Sequence, residues 1–140
     1  MGATYHGSCH CGGISVVFET GIAPEQAEIR ECQCSFCRIH GARAASDPLG
    51  KITFTEATPG ALNRYRFGLR TADFLVCNGC GAYVGCILAA DGGAWGIVNI
   101  NTLADQARFT RPPVAADYDS ETTPDRIARR KARWTPAEIA

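Results

Sequence analysis

Ser8-Cys9-His10-Cys11-Gly12-Gly13 near the start of the chain and Cys77-Asn78-Gly79-Cys80-Gly81 in its second half decide the fold. Each is a pair of closely spaced thiols followed directly by glycine. In a zinc knuckle the backbone after the second sulfur turns so that amides face the thiolates, and glycine tolerates the positive φ this takes. Two such knuckles make one tetrahedral site, so Cys9, Cys11, Cys77 and Cys80 are expected to hold a structural zinc. That zinc ties the start of the chain to its middle. Structural zinc contributes on the order of ten kcal/mol to small-domain folding, so loss of any of the four should damage the fold. The competing reading leaves the two pairs as separate redox or packing cysteines.

Working outward, Cys32-Gln33-Cys34-Ser35-Phe36-Cys37 offers three sulfurs within six residues. Seven of the eight cysteines thus fall into three clusters, and two closed tetrathiolate sites need eight sulfurs. One closed site of four and one open site of three is the simplest division. Three thiolates leave a bound Zn²⁺ with a net charge near about −1 and a fourth position for water or another thiolate. An incoming thiol loses its proton there and is held as a nucleophile at neutral pH. The alternative is a second structural site completed by His40 or Cys86. Cys86 lies in the apolar run Tyr83-Val84-Gly85-Cys86-Ile87-Leu88 and reads as core. His6, His10 and His40 each stand near a cluster without regular ligand spacing, which fits surface or supporting roles better than ligation. Arg30, Arg38 and Arg43 flank the triple and offer carboxylate recognition for a thiol substrate, or solvated loop positions.

Strand signals surround the cysteines. Ile14 to Phe18, Ile52 to Thr55, Leu62 to Phe67, Phe74 to Cys77, Tyr83 to Leu88 and Trp95 to Ile100 are short runs rich in β-branched and aromatic residues. Lys51-Ile52-Thr53-Phe54-Thr55 alternates cleanly, as a strand with one wet face does. Glycine and proline punctuate the runs, predicting an antiparallel, mainly β domain. From Arg111 the texture turns polar and proline-bearing. The expected organisation is a zinc-binding domain over 1–110, then a polar linker and short basic helix over 111–140 that packs on or flanks it. Thr123 is the expected cap, Pro124 suits the first helical position, and Asp125 faces the positive end of the helix dipole. Arg126, Arg129, Arg130, Lys131 and Arg133 invite an anion-binding reading against that of a solvated face.

With 140 residues the chain fits one domain, and 14 basic against 14 acidic side chains remove any global attraction to nucleic acid or anionic membranes. The start lacks the basic and apolar signature of a signal peptide, and no apolar run is long enough to span a bilayer. A cytoplasmic location is expected, where thiols stay reduced and clustered cysteines act as ligands rather than as a disulfide framework.

The order GSCHCG, ECQCSFCR, CNGCG, then a segment ending Val98-Asn99-Ile100-Asn101-Thr102-Leu103, resembles the glutathione-dependent formaldehyde-activating enzyme family, also called the CENP-V/GFA domain. The resemblance spans about Tyr5 to Leu103. It implies antiparallel sheets folded like a tent, of the Mss4-like type, with zinc joining them. It also implies two zinc ions per chain, one on Cys9, Cys11, Cys77 and Cys80 and a catalytic one on Cys32, Cys34 and Cys37. The implied activity is that of a carbon-sulfur lyase, whose partners are a small-molecule thiol, glutathione, and a small carbonyl compound, formaldehyde. The chain departs from the family where Val76 stands in place of the usual aromatic residue before the CxxC pair. Its tail, DYDSETTPDRIARRKARWTP, looks like that of a divergent subgroup. The alternative is a non-catalytic, zinc-stabilised binding module whose basic C-terminal helix engages a partner.

Overall fold

The computed structural model describes residues 2–140. Eleven strands and two α-helices follow one another along the chain: β1 Ala3–Ser8, β2 Ile14–Thr20, β3 Arg30–Cys32, α1 Ser35–His40, β4 Ala44–Ala45, β5 Lys51–Glu56, β6 Leu62–Tyr65, β7 Asp73–Cys77, β8 Tyr83–Ala90, β9 Gly93–Asn99, β10 Val114–Ala116, α2 Thr123–Arg133 and β11 Thr135–Ile139. The architecture is mainly β, as expected.

Two blades lean together. One is the antiparallel run β1-β2-β5, and the other is the antiparallel run β6-β7-β8-β9. Their facing surfaces enclose a first core of Ile14, Val16, Phe18, Ile52, Phe54, Leu75, Val84 and Val98. The alternation read in the sequence produces this packing: Ile14, Val16 and Phe18 point inward from β2, and Ile52 and Phe54 from β5. Strand β8 behaves differently, because Tyr83 through Leu88 are all buried. Its second face supports another core, built of Phe74, Tyr83, Cys86, Leu88 and Ile97 and covered by Cys37 of α1 and Trp134 just after α2. A strand covered on both sides reads as an unbroken apolar run, which is what its sequence shows.

The sheet is mixed rather than purely antiparallel. β10 runs parallel to β3, and β11 runs parallel to β5 while pairing antiparallel with β9. The tail makes both parallel pairs. The stretch expected as a linker contributes β10, and β11 fills the space between the two blades. Its Pro136 lies where β11 pairs with β9, an unusual place for a residue with no N–H to donate.

Smaller corrections concern boundaries. The run from Leu62 leaves the ladder after Tyr65, short of the expected Phe67, and the last apolar run is strand from Gly93 to Asn99. The cap of α2 is Thr122, not Thr123: its hydroxyl accepts from the Asp125 N–H at 3.2 Å, which moves Thr123 and Pro124 into the first turn. Among the described residues no helix is long and apolar enough to cross a membrane.

Candidate metal centres and the adjoining cleft

The first sulfur cluster forms where two hairpins meet. Cys9 and Cys11 lie in the β1–β2 turn, while Cys77 ends β7 and Cys80 lies in the turn that leads to β8, so each blade supplies one pair. In the first turn the Gly12 N–H donates to Cys9 O at 3.2 Å and the Ile14 N–H to Cys9 Sγ at 3.2 Å. In the second the Gly81 N–H donates to Cys77 O at 2.8 Å and the Gly79 N–H to Cys77 Sγ at 3.3 Å. Gly12 and Gly81 both take positive φ, 83° and 80°. The glycine that follows each second cysteine therefore does the same job twice, reversing the chain so that amides face sulfur.

All four Sγ atoms lie within 4.8 Å of one another, with Cys9 to Cys11 at 3.8 Å and Cys11 to Cys77 at 3.6 Å. A tetrahedron of sulfurs about 2.3 Å from zinc has edges of about 3.8 Å. The donor set fits zinc in number, type and spacing. Every cysteine is a free thiol. Protonation among the four is uneven: amides of Ala82 and Cys11 pull the Cys80 thiol down to about 6. At Cys11 the amide of Gly13 lowers the thiol, but the adjoining sulfurs of Cys77 and Cys9 prevail and push it up to about 11. Sulfurs this close compete for negative charge, and a divalent cation removes the competition.

The second cluster is local. Cys32 ends β3, Cys34 caps α1, and Cys37 sits in the first turn of that helix. Cys34 has extended backbone angles, and its sulfur accepts from the Cys37 N–H at 3.4 Å. The Gly41 N–H closes the helix on Arg38 O and Cys37 O, so three sulfurs are fixed by one strand end and one short turn. They too lie within 4.8 Å of one another, and no fourth ligand joins them among the described residues. Thiols of Cys32 and Cys37 donating to Cys34 hold it far below the usual thiol range, while the sulfurs of Cys32 and Cys34 push Cys37 far above it. The set fits three corners of a zinc tetrahedron.

Neither alternative ligand is present. His40 packs its ring 4.5 Å from that of Phe36. Cys86 is fully buried in the second core, where desolvation pushes its thiol up to about 12. His6 and His10 are exposed and outside both groups. Of the flanking arginines, Arg30 donates to Ser46 Oγ at 2.7 Å, and Arg43 turns away to Asn101 Oδ1 at 2.7 Å. Arg38 lines the cleft described next.

Cys32 and Cys34 open on a cleft of about 460 Å³ whose other walls include Arg38, Phe67, Phe74, Arg126 and Arg130. Helix α2 is thus part of the site. Arg126 and Arg130 are one turn apart, and that i, i+4 spacing was the available signal in Asp125-Arg126-Ile127-Ala128-Arg129-Arg130. Glu121 anchors the helix start, accepting from Arg129 Nε at 2.6 Å and Arg126 Nε at 3.2 Å. These arginines hold the Glu121 carboxyl below the usual carboxylate range, Arg129 contributing most. Arg129 also lies over the Tyr118 ring at 3.6 Å. Lys131 Nζ donates to Asp91 at 2.6 Å.

A mainly β domain with one four-sulfur and one three-sulfur cluster, each spaced to fit a metal ion and the second facing an arginine-lined cleft, defines a thiol-rich class of small domains. Within that class the assignment is specific: a family model described as glutathione-dependent formaldehyde-activating enzyme matches residues 4–120, and the chain belongs to that family. Among solved structures, a Rhodobacter sphaeroides protein determined as a structural-genomics target is similar, at 30% identity and a TM-score of 0.60. The match covers 79% of this chain and 99% of that one. No curated protein matches the chain.

Proposed function

We propose that the protein is a zinc-dependent carbon-sulfur lyase that adds a glutathione-like thiol to formaldehyde, or a related small carbonyl compound, to give an S-hydroxymethyl adduct. The observation that carries this reading is the triple of Cys32, Cys34 and Cys37, convergent on one point with no fourth ligand among the described residues, beside a cleft large enough for a peptide-sized thiol. Zinc bound there supplies a Lewis acid that lowers the pKa of an entering thiol. Arg38, Arg126 and Arg130 present positive charge along the cleft to the carboxylates of that thiol. The thiol releases its proton to solvent, a sulfur–carbon bond forms, and the carbonyl π pair moves to oxygen, which takes a proton from water. Atoms and charge balance, and the reverse sequence is the lyase reaction.

The binding-module reading has less to work with. On α2, Arg129 pairs with Glu121 and Lys131 with Asp91, while Arg126 and Arg130 line the cleft beside the sulfurs instead of forming an outward basic face. Eight free cysteines suit a reducing compartment, which is the basis for proposing the cytoplasm.

The test combines metal analysis with NMR of formaldehyde and a panel of thiols. Two zinc ions per chain, one removed by mild chelation without unfolding, and faster exchange between free and adduct signals with glutathione are the expected results. A single inert zinc, or no acceleration with any thiol, would overturn the reading.

A further inference from the structure

Two arginines beside the three-sulfur cluster have no acid to answer them. Arg130 is 8% exposed and Arg30 is half-buried, and among the described residues neither forms an ion pair. Their side chains bond to neutral hydroxyls instead: Arg30 Nη2 donates to Ser46 Oγ at 2.7 Å, and Arg130 Nη1 to Thr71 Oγ1 at 2.7 Å. Of the two buried side-chain polar atoms without a hydrogen-bond partner, Tyr83 Oη belongs to a phenol that burial keeps neutral, but Arg130 Nε belongs to a cation. Burial lowers the pKa of both guanidiniums. A charge taken out of water without a counter-charge is costly, so proteins pair it.

The missing negative charge lies with sulfur. Arg30, Arg129 and Arg130 line one small cavity together with Cys32 and Cys37, and no Asp or Glu lines it. Arg129 is already answered, because Glu121 accepts from its Nε at 2.6 Å and from its Nη2 at 3.1 Å. Cys86 borders the same cavity, but burial pushes its thiol up to about 12, so it carries no charge near neutrality. Cys32 and Cys37 differ, since their cluster becomes anionic on taking a metal. Three thiolates around a divalent cation leave about −1, and a fourth thiolate makes that about −2. Coulomb attraction depends on separation rather than on where a guanidinium points, and it is stronger away from solvent. The hairpin cluster is served by other means, the backbone amides of Ile14 and Gly79.

We infer that Arg30 and Arg130 are the counter-charges of the three-sulfur metal centre, and that they bias its open position toward an anionic ligand over water. The inference rests on that centre holding a metal, as the lyase reading does, and is independent of the reaction. It gives Arg130 a role beyond carboxylate recognition in the cleft, because the charge acts on the metal's sulfur ligands. Arg30 shares that role without being a wall of the cleft. Both are positioning residues that act through the centre.

Cobalt(II) reads both effects. With zinc kept in the hairpin cluster, the labile site is emptied by mild chelation and titrated with Co²⁺, whose thiolate charge-transfer absorption reports binding. The fourth position is then titrated with 2-mercaptoethanol, a thiol that has no carboxylate for the cleft arginines to recognise. Arg30→Gln and Arg130→Gln should each weaken Co²⁺ binding at least about tenfold, the lower end of what groups outside the ligand shell are worth. They should weaken 2-mercaptoethanol binding in the same direction. Arg30→Lys and Arg130→Lys should recover most of both losses, because the charge survives while the planar fork and its stacking do not. If Arg130→Gln loosens the tail, Arg30, on β3 and outside the cleft, keeps the test sharp. Gln variants that bind Co²⁺ and 2-mercaptoethanol as the native chain does, or Lys variants as impaired as the Gln ones, would overturn the inference. If both affinities follow the charge but no thiol accelerates adduct formation, the counter-charge role stands and the lyase reading falls. If glutathione accelerates adduct formation and the Gln variants keep native affinities, the lyase reading stands and the counter-charge role falls.

Discussion

The two sulfur clusters are built from the same donor atom and differ in where their ligands come from. The four-sulfur cluster draws one hairpin from each blade, so a metal bound there would join the two blades and close a contact distant in sequence. The three-sulfur cluster draws on one strand end and one short helix, and its sulfurs converge without help from elsewhere. A metal that joins distant segments is part of folding, while a metal held by a local turn is spared that duty and can keep a position open.

The sharpest way to break this comparison is Cys77→Ser. Structural zinc supplies on the order of ten kcal/mol, comparable to the whole stability of a domain at about 5–15 kcal/mol. The variant should be largely unfolded by circular dichroism and bind no zinc at the hairpin site. Cys34→Ser is the matched experiment. It should lose the labile zinc and at least about 100-fold in adduct formation, since even outer-sphere partners of a metal are worth 10–100-fold. Its melting temperature should fall by only a few degrees. Equal unfolding of the two variants would erase the division of labour.

Much of this contrast was legible in the sequence because it is carried by short spacings. The glycines after Cys11 and Cys80 announced turns of positive φ, and Gly12 and Gly81 adopt them. Alternation in Lys51 to Thr55 placed Ile52 and Phe54 inward. Other parts lacked a local signal. β11 contains Pro136 and only one β-branched aliphatic residue, Ile139, and it is a strand because it fills a gap between β5 and β9 that exists only once the blades have met. The cleft was hidden for a related reason. Cys32 and Arg130 are brought together by the return of the tail, so the basic run by itself read as a solvated helix face. Tyr83 looked like an ordinary core aromatic, and its unpaired hydroxyl is visible only in three dimensions.

Acid should separate the tail from the blades. Arg129 and Arg126 depress the Glu121 carboxyl, so its contribution to stability is present above the unfolded carboxylate pKa of about 4.3 and is lost as pH falls through the lower folded value. Glu121→Gln lacks this dependence. The stability difference between native protein and variant, measured by denaturant unfolding, should be constant above about pH 5 and shrink steadily below about pH 4. Thiols that release metal on acidification affect both proteins alike, so the difference isolates Glu121. A difference that grows on acidification would mean the ion pairs do not hold α2.

The smallest expected effect tests whether α2 serves the open site alone. Thr122 caps the helix through the Asp125 N–H, and removing such a cap costs about 1 kcal/mol. For a domain of this size that is about 3–6 °C in melting temperature. Fraying of the first turn would reach Arg126, which lines the cleft, before it reached Arg130, whose guanidinium is stacked on Trp134 and bonded to Thr71. Thr122→Ala should therefore raise the thiol KM about two- to threefold and speed amide exchange in the first turn of α2, with retention of the tightly held zinc unchanged. The reason is geometric: no atom of α2 is a ligand in the hairpin cluster, and the helix packs against the opposite face of β7–β8–β9 from the core that the cluster borders. Faster loss of the hairpin zinc in this variant would show that the two sites are coupled through β8, which carries both cores, and the contrast between a folding metal and a working one would have to be redrawn as one shared framework.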